Sequence, residues 1–393
     1  MKKSILHYDL DTFFISVERL KDSRLNNRPI MLGGSSNRGV VACCSYETRA
    51  FGVHAGMPML LARRLCPQAL VIKGDSDAYG KYSHMITEII AEEAPMFEKS
   101  SIDEFYVDMT GMDKHFGCYQ WSKELRNRII KETGLPISFG LSTNKMMAKI
   151  ATGEAKPNGH ILVETGNERA FIAPMKVECI PMIGPKTANT LHQMKVRKVL
   201  TLRDIPAEYL AYLFGKNGKV LSQRANAIDP SKVIPYVKSK SIGKERTFDK
   251  DTINIKQLKS IISNMCEQLA YELRSSKKLT SCITIKIRYT DFDTHTLQKK
   301  IYYTACDHQL IEYALQLFDK LYKRRVLIRL VGVKLSGLVN GHYQMNLFEQ
   351  SEKMANLYKA MDKMKDRFGG DCVTRLRSFE SGLKSRKLSA FRG

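Results

Sequence analysis

The sequence predicts a multidomain chain of α/β and α+β character, and three observations carry that reading. At 393 residues the chain is too long for one ordinary hydrophobic core and suits two to four domains. Its patterning changes along its length. Short β-prone runs alternate with helical stripes up to Thr165, short helices and Gly-Pro turns follow, and a β-α-β-β-α-β succession begins at Ser241. The third observation is charge: 63 Lys and Arg against 40 Asp and Glu give a net charge of +23, which suits a polyanionic partner.

Taken in order, Ser4 to Leu10 is a mostly apolar run that reads as a buried strand. It gives way to a helix over Phe13 to Leu20, in which Phe13, Phe14, Val17 and Leu20 share one face. Pro29 to Leu32 and Gly39 to Cys44 are further apolar runs around a Gly-Gly-Ser-Ser-Asn turn. Tyr82, Met85, Ile86, Ile89 and Ile90 trace a helical stripe between Asp77 and Ala94. Met96-Phe97 and Phe105-Tyr106-Val107 flank Asp103-Glu104 and predict a hairpin with both acids at its tip. An amphipathic helix follows around Trp121, Leu125, Ile129 and Ile130, then a strand over Ile137 to Leu141 and a helix opened by Asn144-Lys145. Lys232 to Lys240 is polar and basic with no apolar period, the composition of a tether. Beyond it come strand Ser241–Phe248, helix Ile255–Arg274, strands Ser281–Tyr289 and Leu297–Tyr303, helix Gln309–Tyr322 and strand Ile328–Leu338, a split β-α-β domain. Lys232 to Gly341 holds 21 Lys and Arg against 10 acids, so a sheet here is suited to a duplex backbone. In the tail, Leu357, Tyr358, Met361, Met364 and Phe368 fall at helical spacing.

Nine cysteines without a C-x-x-C pair form neither a zinc motif nor a disulfide framework, and read as reduced thiols. No apolar run approaches the ~18 residues that span a bilayer, and the N-terminus lacks a signal-peptide core, so a soluble cytoplasmic protein with no membrane partner is expected.

The chemistry centres on carboxylates. Adjacent Asp103 and Glu104 repel, and are easiest to keep ionised with a divalent cation between them. A solvated turn is the plain alternative for such a pair taken alone. Asp9 stands at the end of the first strand, where α/β sheets bind ligands. If that strand lies beside the hairpin, Asp9, Asp103 and Glu104 can hold two metals roughly 3.5–4 Å apart for in-line phosphoryl transfer.

Asp9-Leu10-Asp11-Thr12-Phe13-Phe14, Ser45-Tyr46-Glu47-Thr48-Arg49, Phe51-Gly52-Val53 through Gly56-Met57-Pro58, Ser101-Ile102-Asp103-Glu104 and Ala155-Lys156-Pro157-Asn158-Gly159 stand in the order of the Y-family translesion DNA polymerase signatures, and the chain resembles that family to about Gly341. The resemblance implies a right-hand polymerase: palm 1–25 and 72–165, small fingers 26–71, thumb 166–231 with helix-hairpin-helix turns, linker 232–240, little finger 241–341, and a clamp-binding peptide with a basic tail over 342–393. It implies two Mg²⁺ held by Asp9, Asp103, Glu104 and the Leu10 carbonyl, and a triphosphate held by Tyr46, Arg49 and Lys156. Phe14 resembles the steric gate beneath the incoming sugar, whereas Phe13 reads as core.

Two turns are assigned to DNA phosphates by the same resemblance, Gly184 with Lys186 and Gly215 with Lys216, although Met182 stands where the family loop has glycine. Cys43-Cys44 depart from the small or hydroxylic residues expected in the fingers. Gln344, Leu347 and Phe348 resemble the short peptide that docks on a sliding clamp. A monomer acting on primer-template DNA and deoxynucleoside triphosphates, without a proofreading exonuclease, is the implied function. Its rival is a non-catalytic DNA-binding scaffold on the clamp, which would not require the carboxylates or the Tyr46, Arg49 and Lys156 set. A nucleotide cyclase on a similar palm would leave the thumb and basic domain unexplained.

Overall fold

A computed structural model describes residues 3–34, 36, 38–112, 117–235, 238–341, 351–370 and 372–379. The chain forms two compact units, Met1–Val237 and Lys238–Gly393. The first begins with β1 (Ile5–Leu10), α1 (Phe13–Lys21), β2 (Ile30–Gly33), β3 (Val41–Cys44), α2 (Tyr46–Arg49), α3 (Met59–Leu65) and β4 (Leu70–Ile72). It continues with α4 (Ser76–Glu93), β5 (Phe97–Lys99), β6 (Glu104–Asp108), α5 (Cys118–Thr133), β7 (Ile137–Ser142), α6 (Lys145–Ala155) and β8 (His160–Leu162). Short helices follow: α7 (Glu168–Ile172), α8 (Pro185–Gln193), α9 (Val199–Arg203), α10 (Ala207–Phe214) and α11 (Lys216–Ala225).

β1 is the middle strand of a five-stranded sheet, ordered β5-β6-β1-β7-β8, which is why its sequence is apolar nearly throughout. Side chains alternate between the two faces of a strand. Leu6, Tyr8 and Leu10 pack with Ile86, Ile90, Leu125 and Ile129 of α4 and α5. The odd positions turn to α6, where Ile5 packs with Ala148 and the His7 Nδ1 meets the Thr152 hydroxyl at 2.9 Å. Asp9 follows the same alternation onto the α6 face. α6 lies close because β7 carries Gly140, where a Cβ would stand 2.3 Å from the Ala148 carbonyl oxygen. Its N-terminus is capped by Asn144, whose side chain accepts the Met147 N–H.

The smaller sheet, ordered β3-β2-β4, has its own core of Met31, Val41, Cys44, Met59 and Cys66. All nine cysteines are free. The buried face of α4 is Tyr79, Ser83, Ile86, Ile89 and Ile90, with Tyr82 and Met85 only half-buried. Polar Ser83 hid this register in the sequence; its hydroxyl donates to the Ile102 carbonyl at 2.5 Å. α10 and α11 are joined through Gly215 at φ 60°, and Gly218 lets them touch, since a Cβ there would meet the Leu210 carbonyl oxygen at 1.9 Å. Near the end of the unit Val233 is buried against Ile5 and Tyr106, and the Ile234 N–H donates to Glu98 at 2.7 Å, so the start of the polar stretch read as a tether lies on the sheet.

The second unit contains β9 (Ser241–Thr252), α12 (Ile255–Ser275), β10 (Lys278–Tyr289), β11 (Thr294–Thr304), α13 (Asp307–Leu321), β12 (Ile328–Ser336), β13 (Val339–Asn340), α14 (Ser351–Phe368) and α15 (Leu376–Phe379). Its main sheet runs β11-β10-β12-β9 with every neighbour antiparallel. β9 and β10 are therefore parallel with β12 between them, and β11 and β12 parallel with β10 between, which is two interlocked split β-α-β units. Ile283, Ile285, Ile287, Val331 and Val333 face α12 and α13. On α14 the apolar spacing predicts the helix and part of its buried side: Tyr358 is buried and Met361 half-buried, but Leu357, Met364 and Phe368 are exposed. Polar groups complete the docking. Arg274 binds Asp307 at 2.6 Å and Asp362 at 2.7 Å, and the Tyr358 hydroxyl meets His308 Nδ1 at 2.6 Å.

Candidate active site

β1 pairs antiparallel with β6 in a register that sets Asp9 opposite Glu104, and the Leu10 N–H donates to the Asp103 carbonyl at 3.1 Å. Asp9 is thus brought from a distant part of the sequence to the adjacent Asp103 and Glu104 at one end of the sheet. Two lysines answer them. Lys156 Nζ lies 2.5 Å from Asp9 Oδ1, and Lys149, one turn beyond Lys145 on α6, lies 2.6 Å from Glu104. Asp103 accepts from the Ser101 hydroxyl at 2.5 Å. Among the described residues no three acidic, His or Cys side chains converge on a single point as a ready metal cage.

Burial raises the Asp9 pKa to about 6, and the neighbouring Glu104 and Asp103 add to the rise against the opposing Lys156. Glu104 is held down to about 2 by the facing His7 imidazole and by Lys149. At 3.9 Å the His7 to Glu104 separation is too long for a hydrogen bond, so the Lys149 contact is the firmer cause. His7 is fully buried and burial lowers its pKa to about 4, which leaves it neutral. Burial and the neighbouring acids both work against the Asp9 charge, and Lys156 offsets them only in part. Carboxylate donors of this hard type fit a divalent cation in exchange for the two ammoniums.

Asp11, one residue past β1, is buried beside the site. Its carboxylate accepts from the Ser138 hydroxyl at 2.8 Å, the Asn158 N–H at 2.7 Å and the Tyr46 hydroxyl at 3.3 Å. Tyr46 opens α2 and carries the Arg49 guanidinium over its ring at 4.9 Å. Burial, and then the Asp11 charge, push the Tyr46 phenol well above its usual pKa, so it stays a donor. The turn carrying Lys156 is braced by Arg126, which donates to the Asn158 carbonyl at 2.8 Å. Phe13 is core, as its spacing implies; Phe14 is half-buried, with its ring centroid 4.5 Å from that of Tyr79. Tyr79 is fixed in turn by its hydroxyl on Glu18 at 2.6 Å.

Sequence reasoning passed over Asp11, Lys149, His7, Ser138, Arg126 and Tyr79. The signals were the second acid of Asp9-Leu10-Asp11 and the four-residue spacing of Lys145 and Lys149.

Gly184 N-caps α8 and Gly215 N-caps α11; both, with Lys186 and Lys216, are exposed. The two turns border one groove of about 110 Å³ lined by Met182, Ile183, Phe214 and Asn217 among others. Met182 has φ 78°, a backbone conformation suited to the glycine expected there. On the second unit, Lys286, Arg288, Lys300 and Lys334 alternate with the core-facing residues and mark the open face of the sheet, where Glu245 pairs with Lys286 at 3.0 Å. Gln344, Leu347 and Phe348 lie outside the described residues. No described helix is long and apolar enough to cross a membrane.

The profile of the impB/mucB/samB family matches residues 8–153, and that of its C-terminal domain matches residues 239–347. The chain belongs to this family, the Y-family DNA polymerases. Within it, the chain is similar to bacterial proteins called DNA polymerase IV. That of Dehalococcoides mccartyi is 35% identical over 381 residues, 96% of this chain and 98% of the relative. That of Treponema denticola is 35% identical over 84% of this chain and 85% of the relative. A Y-family polymerase chimera of Dbh and Dpo4 shares the fold with a TM-score of 0.73 at 24% identity, over 86% of this chain and 99% of the chimera. DinB from Sulfolobus solfataricus shares it with a TM-score of 0.59, also at 24% identity, over 86% of this chain and all of that protein.

Proposed function

We propose that the protein is a template-directed DNA polymerase that extends primers across damaged bases, without proofreading. The observation that carries this reading is the β1–β6 register, which gathers Asp9, Asp103 and Glu104 beside two displaceable lysines. The three side chains, with the Leu10 carbonyl, would hold two Mg²⁺, which when bound supply activation of the primer 3′-hydroxyl and neutralisation of the triphosphate.

The chain's own groups do the rest. Tyr46 donates a hydrogen bond to the triphosphate, Arg49 offers it a guanidinium fork, and Lys156 transfers its charge from Asp9 to a phosphate oxygen. Phe14, backed by Tyr79, forms the floor beneath the sugar. The five-stranded sheet is the palm (1–25 and 72–165) and the smaller sheet the fingers (26–71), a cover small enough to tolerate a damaged template base. Residues 166–231 form the thumb, its two glycine turns gripping backbone phosphates, and 241–341 the little finger, with its open basic face toward the duplex. Gln344, Leu347 and Phe348 form the clamp peptide of a monomeric, cytoplasmic enzyme.

The test is primer extension with Mg²⁺ by Asp103→Ala and Glu104→Ala proteins. Extension should be abolished while primer-template affinity stays near wild type, because that affinity rests on phosphate contacts elsewhere. Near wild-type extension by Asp103→Ala would return the acids to a structural role and favour the scaffold reading.

A further inference from the structure

We propose that Asp11 is the positioning residue of the nucleotide site, a buried carboxylate that holds Tyr46 and the Lys156 turn in place before a triphosphate arrives. The inference rests on the polymerase reading above and adds to it a residue that touches neither DNA nor nucleotide.

The connections come from three separate stretches of chain. Ser138 is on β7, next to β1 in the sheet; Asn158 belongs to the turn after α6; Tyr46 is on α2, beside the smaller sheet. Asp11 is 1% exposed, so its charge has no solvent to stabilise it and depends on these donors. Ser138 is itself tied to the same turn, accepting the Gly159 N–H at 3.2 Å. Lys156 Nζ lies 3.9 Å from Asp11 Oδ1, inside the carboxylate's field while it pairs with Asp9.

The bonds are unequal, and the inequality suits the task. Those to Asn158 and Ser138, at 2.7 and 2.8 Å, are of charge-assisted length, whereas that from Tyr46, at 3.3 Å, is long for a hydroxyl donor. A phenol has one proton. A triphosphate oxygen competes for it with Asp11, and the long bond is the one that yields, while the short bonds keep the Lys156 turn where it is. Asp11 thus lowers the ordering cost of binding on two sides of the nucleotide at once.

The experiment is steady-state single-nucleotide insertion by the full-length protein with Asp11→Asn, which keeps the shape but loses one acceptor oxygen. The KM for the matched dNTP should rise about ten-fold, the loss expected for one charge-assisted hydrogen bond, with a smaller change in kcat and unchanged primer-template affinity. Tyr46→Phe should raise KM in the wild-type background and add little in Asp11→Asn, a coupling that fold damage would not produce. Ser138→Ala, which removes one donor and keeps the Asp11 carboxylate with its other partners, should give the same KM-selective defect in weaker form.

A KM within about two-fold of wild type for Asp11→Asn would overturn the inference. So would additive effects of the Tyr46 and Asp11 changes, or a common fall in kcat, DNA affinity and melting temperature. Absence of Mg²⁺-dependent extension by the wild-type protein would instead refute the polymerase reading itself.

Discussion

Replacing Phe14 with Ala separates a packing role from a gating role more sharply than any other change at the site. The ring is half-buried, resting on Tyr79 at 4.5 Å and beside Phe13 at 5.4 Å. A fully buried Phe→Ala change costs ~3–5 kcal/mol, so about half of that, roughly 2 kcal/mol, is expected here, including ~0.5–1.5 kcal/mol for the ring pair. In a domain of this size that lowers the melting temperature by roughly 4–8 °C, which leaves the protein folded at assay temperature. The functional effect should be larger. A ribose 2′-hydroxyl forced against the ring would be buried unpaired at ~1–3 kcal/mol; removing the ring removes that penalty together with the clash. The ratio of kcat/KM for rNTP over matched dNTP should therefore rise by about one to two orders of magnitude or more, with a modest loss for dNTP. Tyr79→Leu, which removes the ring behind Phe14, should raise the ratio by less. Single-nucleotide insertion with both substrates, alongside a thermal melt, measures each quantity. An unchanged ratio with a lower melting temperature would show that Phe14 only packs.

Three further outcomes are expected. Truncation after Val237, which keeps Val233 docked but removes the basic second unit, should weaken primer-template binding and flatten its salt dependence while slow Mg²⁺-dependent extension persists; an unchanged salt slope would place the DNA grip in the first unit. His7 has its pKa lowered to about 4 from 6.5, so the unfolded chain takes up this proton first as pH falls and the His7 contribution, about 3 kcal/mol, is lost progressively between those values, while Asp9, raised to about 6 from 3.8, is protonated first in the folded protein and opposes that loss over much of the same window. His7→Gln should therefore tilt the dependence of denaturant midpoint on pH toward greater stability at acid pH, and a dependence equal to that of wild type would show that His7 does not change protonation on unfolding. Met182, exposed and at φ 78°, should be improved by Met182→Gly, with a gain of about 1 kcal/mol read as a higher melting temperature; a lower one would show that its side chain contributes to packing in the groove.

Local signals in the sequence determined the strands and helices themselves. The apolar run of β1, the hairpin carrying Asp103 and Glu104, the opening of α6 at Asn144-Lys145 and the six elements of the second unit are read from short-range periodicity and turn chemistry, which need no knowledge of neighbours, although Glu104 stands in β6 and not at the hairpin tip. Ordered motifs also pointed to the family, because its chemistry confines acids, an aromatic and cations to particular strand ends and turns. Register and pairing are different in kind. That Asp9 stands opposite Glu104 depends on how β1 aligns with β6, a long-range choice set by which faces bury together, and a slip of one residue would turn Asp9 away from α6. Asp11 had no visible role because nothing in the sequence shows that Ser138, Asn158 and Tyr46, on three separate stretches, come within reach of one carboxylate. The same holds for α14, whose helical spacing was plain but whose buried side is fixed by partners on other elements: Tyr358 is buried against His308 and Asp362 pairs with Arg274, while Leu357, Met364 and Phe368 face solvent.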